Sequence, residues 1–241
     1  MLEKIERFQI LLLALVLALG LVIATTIVSG ALPNEGISVT GSASKVVKSD
    51  KGSLYFNIIT RQKTRKIAYD VIKKQLPIVK SYLISKGIKE EDINIKTTNH
   101  YNTYRMLPNG NTSNDVEYYN VQQPIEIKSD NVELIKELST DITSLMDKGI
   151  DLDVNSPEYY YSKISDLKVE LLNEAAKDAK QRASAMLKAT HNRTGKIQSV
   201  KMGVFQITSP DSTDVSDSGI FNTESIEKKV TAVANVIFKI K

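Results

Sequence analysis

Cysteine and tryptophan are both absent from the 241-residue chain. A chain without thiols forms no disulfide, no cysteine-ligated zinc or iron–sulfur site, and no thiol nucleophile. It is also not a lipoprotein, because no cysteine follows the N-terminal apolar segment to carry the lipid. The folded protein must therefore be stabilised by packing alone.

Aromatic residues are few, at 6% of the chain, and neither sign of charge dominates. The 32 Lys and Arg residues exceed the 28 Asp and Glu residues by only four. Acidic and basic residues are interspersed without a basic cluster, a pattern typical of a soluble surface and not of nucleic-acid binding. We therefore expect a core of Ile, Leu, Val and Ala, and no nucleic-acid partner.

Familiar catalytic motifs are also missing. The sequence has no G-x-S-x-G elbow, no H-E-x-x-H zinc motif and no phosphate-binding loop. Its two histidines are His100, in or near a strand, and His191, at the end of a predicted helix, where it suits the helix dipole. We predict no catalytic residue, no cofactor, no metal ligand and no enzymatic activity.

Two groups of acidic residues have an alternative chemical interpretation. Asp211, Asp214 and Asp217 recur every three residues, but they lack the alternating ligands and bidentate Glu of a calcium loop. Asp151 and Asp153 raise the alternative of acid–base chemistry, yet they lie two apart on a strand and are expected to face water. A solvated loop and a solvated strand are the favoured interpretations.

Residues 10–28 form one long apolar run, ILLLALVLALGLVIATTIV, without a charge. As a helix this run spans about 28 Å, close to the hydrocarbon thickness of a bilayer. We predict a transmembrane helix over 10–28 and a short cytoplasmic N-terminus over 1–9. Lys4 and Arg7 precede the helix, whereas the linker 29–36 after it has no basic residue, which places the C-terminal part outside.

A cleaved signal peptide is the alternative for this run, although the apolar core of such peptides usually covers about 7–15 residues. Ser29 and Ala31 fit the small residues before a cleavage site. In both cases residues 37–241 form an exported domain. We expect a single-pass protein of the cell membrane with an extracytoplasmic C-terminal domain, or a secreted protein if the run is cleaved.

Residues 37–241 alternate between strand and helix periodicity. Alternating apolar positions predict strands, and apolar positions three and four apart predict helices. The predicted strands cover 37–47, 53–58, 93–99, 116–128, 150–154, 197–208 and 230–240, and the predicted helices cover 63–86, 131–148 and 162–191.

Single residues predict local features of these elements. Gly41 indicates a bulge or the close approach of another element to the first strand. A turn at 50–52 indicates that the first two strands form a hairpin. Gly87 and Gly149 are expected to terminate helices, and Pro124 favours an edge strand or a bulge.

The order of the elements is ββα, ββα, β, α, ββ, which predicts the α+β class. We expect a largely antiparallel sheet packed with three helices and preceded by one N-terminal transmembrane helix. Alanines along the helix predicted over 162–191 imply close packing against that sheet. The segment 209–228, rich in Ser, Thr and Asp, is predicted to be a long loop.

Three segments resemble the SIMPL family, also called DUF541. The opening strand ISVTGSASKVVKSD resembles the V-T-G start of that family, and KGIKEEDINIKT resembles its G-(I/V)-x-x-x-D-I-x-T junction. The segment LLNEAAKDAKQRASAML resembles its A-x-x-D-A-(K/R)-x-(K/R)-A stretch. The three segments occur in the family's order and frame residues 36–241. Residues 191–194 and the long 209–228 loop depart from the family's pattern.

The resemblance implies a SIMPL-like fold and an envelope protein without an established reaction. Relatives of this kind are described as periplasmic or surface proteins, some of which form oligomers and some of which are linked to oxidative stress. The resemblance supplies no catalytic residue and no cofactor.

Tyrosines are concentrated in two parts of the chain. Tyrosine is frequent in interfaces because its ordering cost is low, while the alternative is cross-strand pairing on a half-exposed sheet. We predict an interaction surface, for a protein or a glycan, that contains Tyr101, Tyr104, Tyr118, Tyr119, Tyr159, Tyr160 and Tyr161.

These inferences together predict a membrane-anchored, extracytoplasmic envelope protein that is not an enzyme. We expect it to act through self-association or protein partners, in tolerance of envelope or oxidative stress. The alternatives are an extracytoplasmic ligand-binding or sensory module and an enzyme of unrecognised type.

Overall fold

The computed structural model describes residues 13–25 and 36–241. Residues 13–25 form helix α1, whose side chains are exposed throughout. Among these described residues, no helix is long and apolar enough to cross a bilayer.

The predicted N-terminal features fall largely outside the described residues. This is the case for the N-terminus 1–9, for 10–12 and 26–28 at the two ends of the predicted span, and for 29–35 of the linker.

The described domain contains eleven strands and three helices after α1. In chain order the strands are β1 (Gly36–Lys48), β2 (Lys51–Gln62), β3 (Ile93–Ile95), β4 (Asn99–Met106), β5 (Thr112–Ser129), β6 (Leu152–Val154), β7 (Glu158–Tyr160), β8 (Thr194–Met202), β9 (Gln206–Thr208), β10 (Ile220–Phe221) and β11 (Glu227–Ile240). The helices are α2 (Arg65–Ser85), α3 (Val132–Asp141) and α4 (Ile164–Lys188), with short 3₁₀ helices at Glu90–Asp92 and Ile142–Lys148.

Six strands form a sheet that we call the central sheet. Its two long inner strands, β2 and β5, pair antiparallel from Gly52 opposite Ser129 to Gln62 opposite Tyr119. Strands β3 and β4 follow one another along the outer side of β5, and β6 and β7 follow one another along the outer side of β2.

Helices α2 and α3 cover one face of the central sheet with large aliphatic and aromatic side chains. This core is fully enclosed and contains, among others, Leu54, Phe56, Ile58, Ile72, Val79, Leu83, Val121, Ile125, Ile127, Ile135 and Leu138. Burial of this apolar surface is the main stabilising contribution in this half of the domain.

The other five strands form a sheet that we call the terminal sheet, because it joins the first strand to the last. Strands β1 and β11 pair antiparallel without a register shift, from Gly36 opposite Lys239 to Lys48 opposite Glu227. On its other side β11 pairs with β8 and β9, and β10 pairs parallel with β9.

Helix α4 packs on the terminal sheet through small residues. Ala175, Ala179 and Ala183 are buried against Ala234, Val236 and other residues of the sheet. A Cβ atom on Gly41 would lie 2.1 Å from the carbonyl oxygen of Ala175 and 2.4 Å from the amide nitrogen of Ala179. The predicted close approach at Gly41 is therefore confirmed, and the continuous register of β1 excludes the bulge.

The α+β class and the antiparallel pairing are confirmed, but the single sheet and the first hairpin are corrected. Strands β1 and β2 lie in different sheets, although only Ser49 and Asp50 separate them. The amide of Ser49 donates to Ile226 O beside the terminal sheet, and the amide of Asp50 donates to Tyr160 O of the central sheet. The two amides thus bind different sheets, and the chain crosses between them at this point.

Pro124 lies inside the central sheet and pairs with Asn57 of β2 without a register shift, so the predicted edge strand and a bulge against β2 are both wrong. The proline is tolerated because the neighbour of β5 changes there. Strand β4 pairs with β5 up to Gln122, and β3 begins to pair at Ile125. A residue without an amide hydrogen therefore falls in the gap between two partners.

Helices α2 and α3 both begin at a capping side chain, and a glycine follows α2. Thr64 and Asn131 cap α2 and α3, since their side chains accept hydrogen bonds from the amides of Ile67 and Leu134. Gly87 follows α2 with φ +95°. The amide of Ile88 donates back to Leu83 O, which is the Schellman arrangement.

The two other helical segments end in the same way. Gly149, with φ +75°, follows the 3₁₀ helix after α3, so the predicted glycine terminators at 87 and 149 are both confirmed. After α4 the corresponding position is His191, with φ +59°, and the amide of Asn192 donates to Leu187 O. His191 thus occupies a left-handed position that glycine normally fills.

The predicted 209–228 loop is pinned to the terminal sheet. The buried side chain of Gln206 donates to Ser216 O at 2.7 Å and accepts from the Ser216 amide at 3.4 Å. These two hydrogen bonds resemble the backbone pairing between neighbouring strands. Residues Ile220–Phe221 then form the short strand β10.

Candidate functional site

Strands β4 and β5 form a hairpin that extends beyond the rest of the central sheet. The pairing of β5 with β2 ends at Tyr119, while its pairing with β4 continues to Thr112. Within the described chain, residues 112–118 of β5 pair with β4 alone. The outer part of the hairpin is therefore a two-stranded ribbon.

The end of this ribbon carries large apolar side chains in water. Tyr104, Met106 and Leu107 are 44%, 72% and 38% exposed, and we call these three residues the hairpin tip. Arg105 forms an ion pair with Asp115 across the ribbon. The turn is closed by Gly110, with φ +82°, whose amide donates to Leu107 O at 2.9 Å.

Tyr118 and Tyr119, at the base of the ribbon, lie beneath basic side chains. The Lys63 ammonium lies 3.8 Å from the ring centroid of Tyr118, and Arg61 lies 5.2 Å from the same ring. The guanidinium of Arg65 lies 5.5 Å from the ring of Tyr119. Cation–π contacts of this kind fix the hairpin base to the end of β2 and the start of α2.

The tyrosines at 159–161 lie elsewhere and do not join this surface. Tyr159 is 3% exposed in the central core, so its predicted place on an interaction surface is corrected: it is a core residue. The Tyr160 hydroxyl donates to Glu158 at 2.5 Å, and this bond raises the pKa of Tyr160 to about 12. Tyr161 packs against the cluster between α4 and the terminal sheet.

The two histidines have structural surroundings. His100 Nδ1 lies 3.3 Å from the Tyr69 hydroxyl and so links the hairpin base to α2. His191 lies beyond the last turn of α4, which ends at Lys188.

The acidic residues of the two groups do not converge. Among the described residues, no group of three or more His, Asp or Glu side chains lies close enough to hold a metal ion. Asp214 accepts a hydrogen bond from the Ser212 hydroxyl at 2.9 Å within its own loop. Asp153 lies on β6, and Asp151 precedes that strand and lines a small cavity.

That small cavity, of about 210 Å³, lies on the face of the central sheet opposite the helices. Its polar lining includes Arg61, Tyr101, Gln122 and Asp151, from three strands and a loop. Sequence reasoning found Tyr101 and Asp151 separately and did not bring them together. Only the strand register places them side by side.

A cleft of mixed charge, of about 840 Å³, lies at the other end of the central sheet. Lys51 and Asp130 form an ion pair of 2.7 Å on its wall, and Glu126 contacts Lys96 and Lys128. These charges largely satisfy one another. The sequence contained no signal for this cleft.

Lys228 is a buried lysine at the junction of the two sheets, and sequence reasoning missed it. Its side chain is 3% exposed, and its ammonium donates to Asn222 O at 2.7 Å and to Ser225 O at 2.8 Å. Burial lowers the pKa of Lys228 to about 8. The ammonium holds the turn before β11. Thr223 in this turn accepts a hydrogen bond from the backbone amide of Tyr159 in the central sheet.

Asp50 is the second ionisable group at this junction. Its carboxylate accepts hydrogen bonds from the amide of Ser162, at 2.7 Å, and from the Ser162 hydroxyl. Burial raises the pKa of Asp50, but these two hydrogen bonds together outweigh it, so the pKa lies below its usual value. Lys228 and Asp50 thus hold segments of chain in place.

The comparisons with known proteins agree with the resemblance found in the sequence. The family model SIMPL, described as "Protein of unknown function (DUF541)", matches residues 37–238. No curated protein matches the chain significantly. Since the match covers most of the chain, the protein belongs to the SIMPL family.

Proposed function

We propose that this protein is a membrane-anchored, extracytoplasmic binding protein without enzymatic activity, which acts through self-association or through a protein partner docked at the hairpin tip. Its family has no known function and is not a known enzyme family. The proposed context is tolerance of envelope or oxidative stress, which a deletion strain exposed to oxidant and to envelope stress would test.

The exposed hairpin tip is the observation that carries this proposal. Tyr104, Met106 and Leu107 place apolar surface at the end of a ribbon that leaves the body of the domain. Exposed apolar groups on a defined element are typical of protein interaction sites. Because paired backbone already orders the ribbon, binding there requires little further loss of conformational entropy.

Anchoring is supported by the uncharged run 10–28 and the absence of basic residues in 29–36. The test is protease treatment of intact cells that produce the full chain. Digestion of the domain in intact cells, with the protein remaining in the membrane fraction, is expected. Recovery of the full chain in the soluble cytoplasmic fraction would contradict both the anchor and the orientation.

Self-association is tested on residues 32–241 by size-exclusion chromatography with light scattering. This segment contains all three clusters of buried residues. The double variant Met106→Ser with Leu107→Ser is expected to lower the oligomeric mass. A matched control is Ile197→Ser with Met202→Ser on β8, which also removes two exposed apolar side chains.

The outcomes separate the two forms of the proposal. Loss of the oligomer in the tip variant alone supports self-association through the hairpin. Loss in the β8 variant alone contradicts the hairpin as the interface. If the wild type is a monomer at high concentration, the partner is a different protein. Crosslinking at position 104 in cells should then capture that protein with the wild type and not with the tip variant.

A ligand-binding or sensory module is the second candidate, and the 840 Å³ cleft favours it. Its walls also include Lys89, Asp92 and Glu158. A thermal-shift screen of charged metabolites against wild type and Lys89→Ala would separate this candidate from the first, because only cleft ligands lose their effect in the variant.

A further inference from the structure

The face of the central sheet opposite the helices carries a group of amide side chains around Tyr101. Because side chains alternate along a strand, the residues that neighbour the buried Phe56 and Ile58 point away from α2 and α3. Strand register brings Asn57, Asn99, Tyr101, Asn120 and Gln122 to this open face. It therefore presents several amides and a phenol, next to the charged side chains of Arg61 and Asp153 on the same face.

Two contacts orient Arg61 on this face. Its Nε donates to the Asn120 side-chain oxygen at 3.3 Å, and its guanidinium lies over the ring of Tyr118. Asn120 is itself buried and donates to the Thr103 hydroxyl at 2.8 Å. These contacts leave the terminal nitrogens of Arg61 without a partner among the described residues.

The other polar groups around the 210 Å³ cavity are also unused. The side chains of Tyr101, Gln122 and Asp151 form no hydrogen bond to any part of the chain that the structure describes, and neither Arg61 nor Asp151 forms an ion pair there. The ring of Tyr101 is 54% exposed. The cavity thus combines a fixed cation, a carboxylate, an amide and an open aromatic ring.

We propose that this cavity binds a neutral sugar residue of a glycan chain. A sugar hydroxyl both donates and accepts, so vicinal hydroxyls can accept from Arg61 and donate to Asp151 at the same time. The ring of Tyr101 offers an apolar surface for the C–H face of the sugar, while Gln122 supplies one donor and one acceptor. A few fixed polar groups beside an aromatic surface are what gives a small-molecule site its specificity.

The charge of the cavity favours a neutral ligand. Arg61 and Asp151 have opposite charges that cancel across the site, so neither an anion nor a cation gains a net electrostatic attraction there. A zwitterionic amino acid would satisfy both charges but would leave the amides of Asn57 and Asn99 beside the cavity unused. A glycan chain lying along the sheet would continue over those amides.

This site differs from the hairpin tip and does not depend on the proposed function. Tyr104, Met106 and Leu107 do not line the cavity. The double variant Met106→Ser with Leu107→Ser should therefore bind sugar as the wild type does, even where its oligomeric mass has changed.

The test is isothermal titration calorimetry on residues 32–241 with three probes: chitotetraose, cellotetraose and maltotetraose. Saturable heat is expected with at least one of them. Tyr101→Ala should weaken that binding about tenfold, because the stacking ring is lost, and Tyr101→Phe should retain it. Tyr104→Ala, which removes another exposed tyrosine from the same strand, is the matched control and should leave affinity unchanged.

Asp151→Asn is the second variant and protects the test against a folding defect at position 101. The carbonyl of Asp151, which accepts from the Ile59 amide, is preserved in it, so the fold should remain while affinity falls. Absence of saturable heat with all three saccharides at millimolar concentration would overturn the proposal. Saturable binding of alanyl-alanine without binding of a saccharide would overturn it in favour of a zwitterionic ligand.

Discussion

The central and terminal sheets both carry helices on one face, but they use side chains of very different size to do so. The central sheet meets α2 and α3 through Phe, Leu and Ile. Much of the terminal sheet meets α4 through alanines and Gly41, where the helix backbone itself approaches the strand. The first arrangement gains stability from the apolar area that it buries. The second requires small side chains on the helix and, at Gly41, no side chain at all.

This difference predicts opposite sensitivities to substitution. A core of bulky side chains is damaged most when volume is removed, because the cavity that remains is only partly filled by relaxation. A helix held close to a strand is damaged most when volume is added, because backbone atoms cannot rotate out of the way.

Phe56→Ala should have the largest effect, about 4 kcal/mol in the free energy of unfolding. Phe56 is fully buried in the central core. The matched control is Tyr55→Ala, the adjacent residue on the open face of the same strand, which should cost about 1 kcal/mol. Urea denaturation of residues 32–241 measures both, and equal costs would mean that the open face is packed as tightly as the helix-covered face.

Gly41→Ala should destabilise the protein by about 3 kcal/mol, since the new methyl group would collide with the α4 backbone. Gly52→Ala on β2 is the control from the central sheet. There the nearest atoms, at 3.1 Å, belong to the side chain of Ile135 and not to a backbone. We expect that variant to cost about 1 kcal/mol or less. Similar losses from both variants in urea denaturation would remove the distinction between the two sheets.

The junction between the sheets should become more stable as the pH rises through alkaline values. The pKa of Lys228 falls from its usual 10.5 to about 8 on folding. Between these values the unfolded chain binds more protons than the folded chain, so the free energy of unfolding increases with pH, here by at most about 3 kcal/mol. At lower pH both states are protonated, and this gain is absent.

Lys228→Met supplies the reference for that measurement. The difference in unfolding free energy between wild type and Lys228→Met, measured from pH 8 to 10.5, should change in favour of the wild type. Other lysines titrate in both proteins and cancel in this difference. A difference that does not vary with pH would show that the lysine remains hydrated in the folded state.

His191→Gly should give the smallest effect, a stabilisation of about 1 kcal/mol. His191 has a left-handed backbone conformation, which is unfavourable by about 1 kcal/mol for a residue with a Cβ atom. Gly87→Ala, at the equivalent position after α2 with φ +95°, should lose a similar amount. Thermal unfolding of both variants measures the pair, and a loss of stability in His191→Gly would mean that the imidazole makes a stabilising contact of its own.

The helices could be located from the sequence because their signals are local. Apolar residues three and four apart marked α2, α3 and α4, and Gly87 and Gly149 marked two of the ends. The close approach at Gly41 could also be predicted from the sequence, since a glycine inside a strand often marks the place where another backbone comes close.

The pairing of the strands could not be predicted from the sequence. Alternation shows that a segment is a strand and which residues share a face, but it contains no information about its partner. Strand β1 therefore looked like the partner of β2, the next strand, whereas its partner is β11 at the end of the chain. The small cavity depends on the same long-range register, and the burial of Lys228 depends on how the two sheets meet.

The pairing of β1 with β11 has a consequence for the order of folding. During synthesis, β2, α2, β5 and α3 can assemble early, because their partners lie within the first 160 residues or so of the chain. Residues 36–48 must wait until 227–240 have left the ribosome. A nascent chain therefore carries an unmatched first strand until residues 227–240 have emerged, and any product truncated before residue 227 keeps that strand as an open template for aggregation.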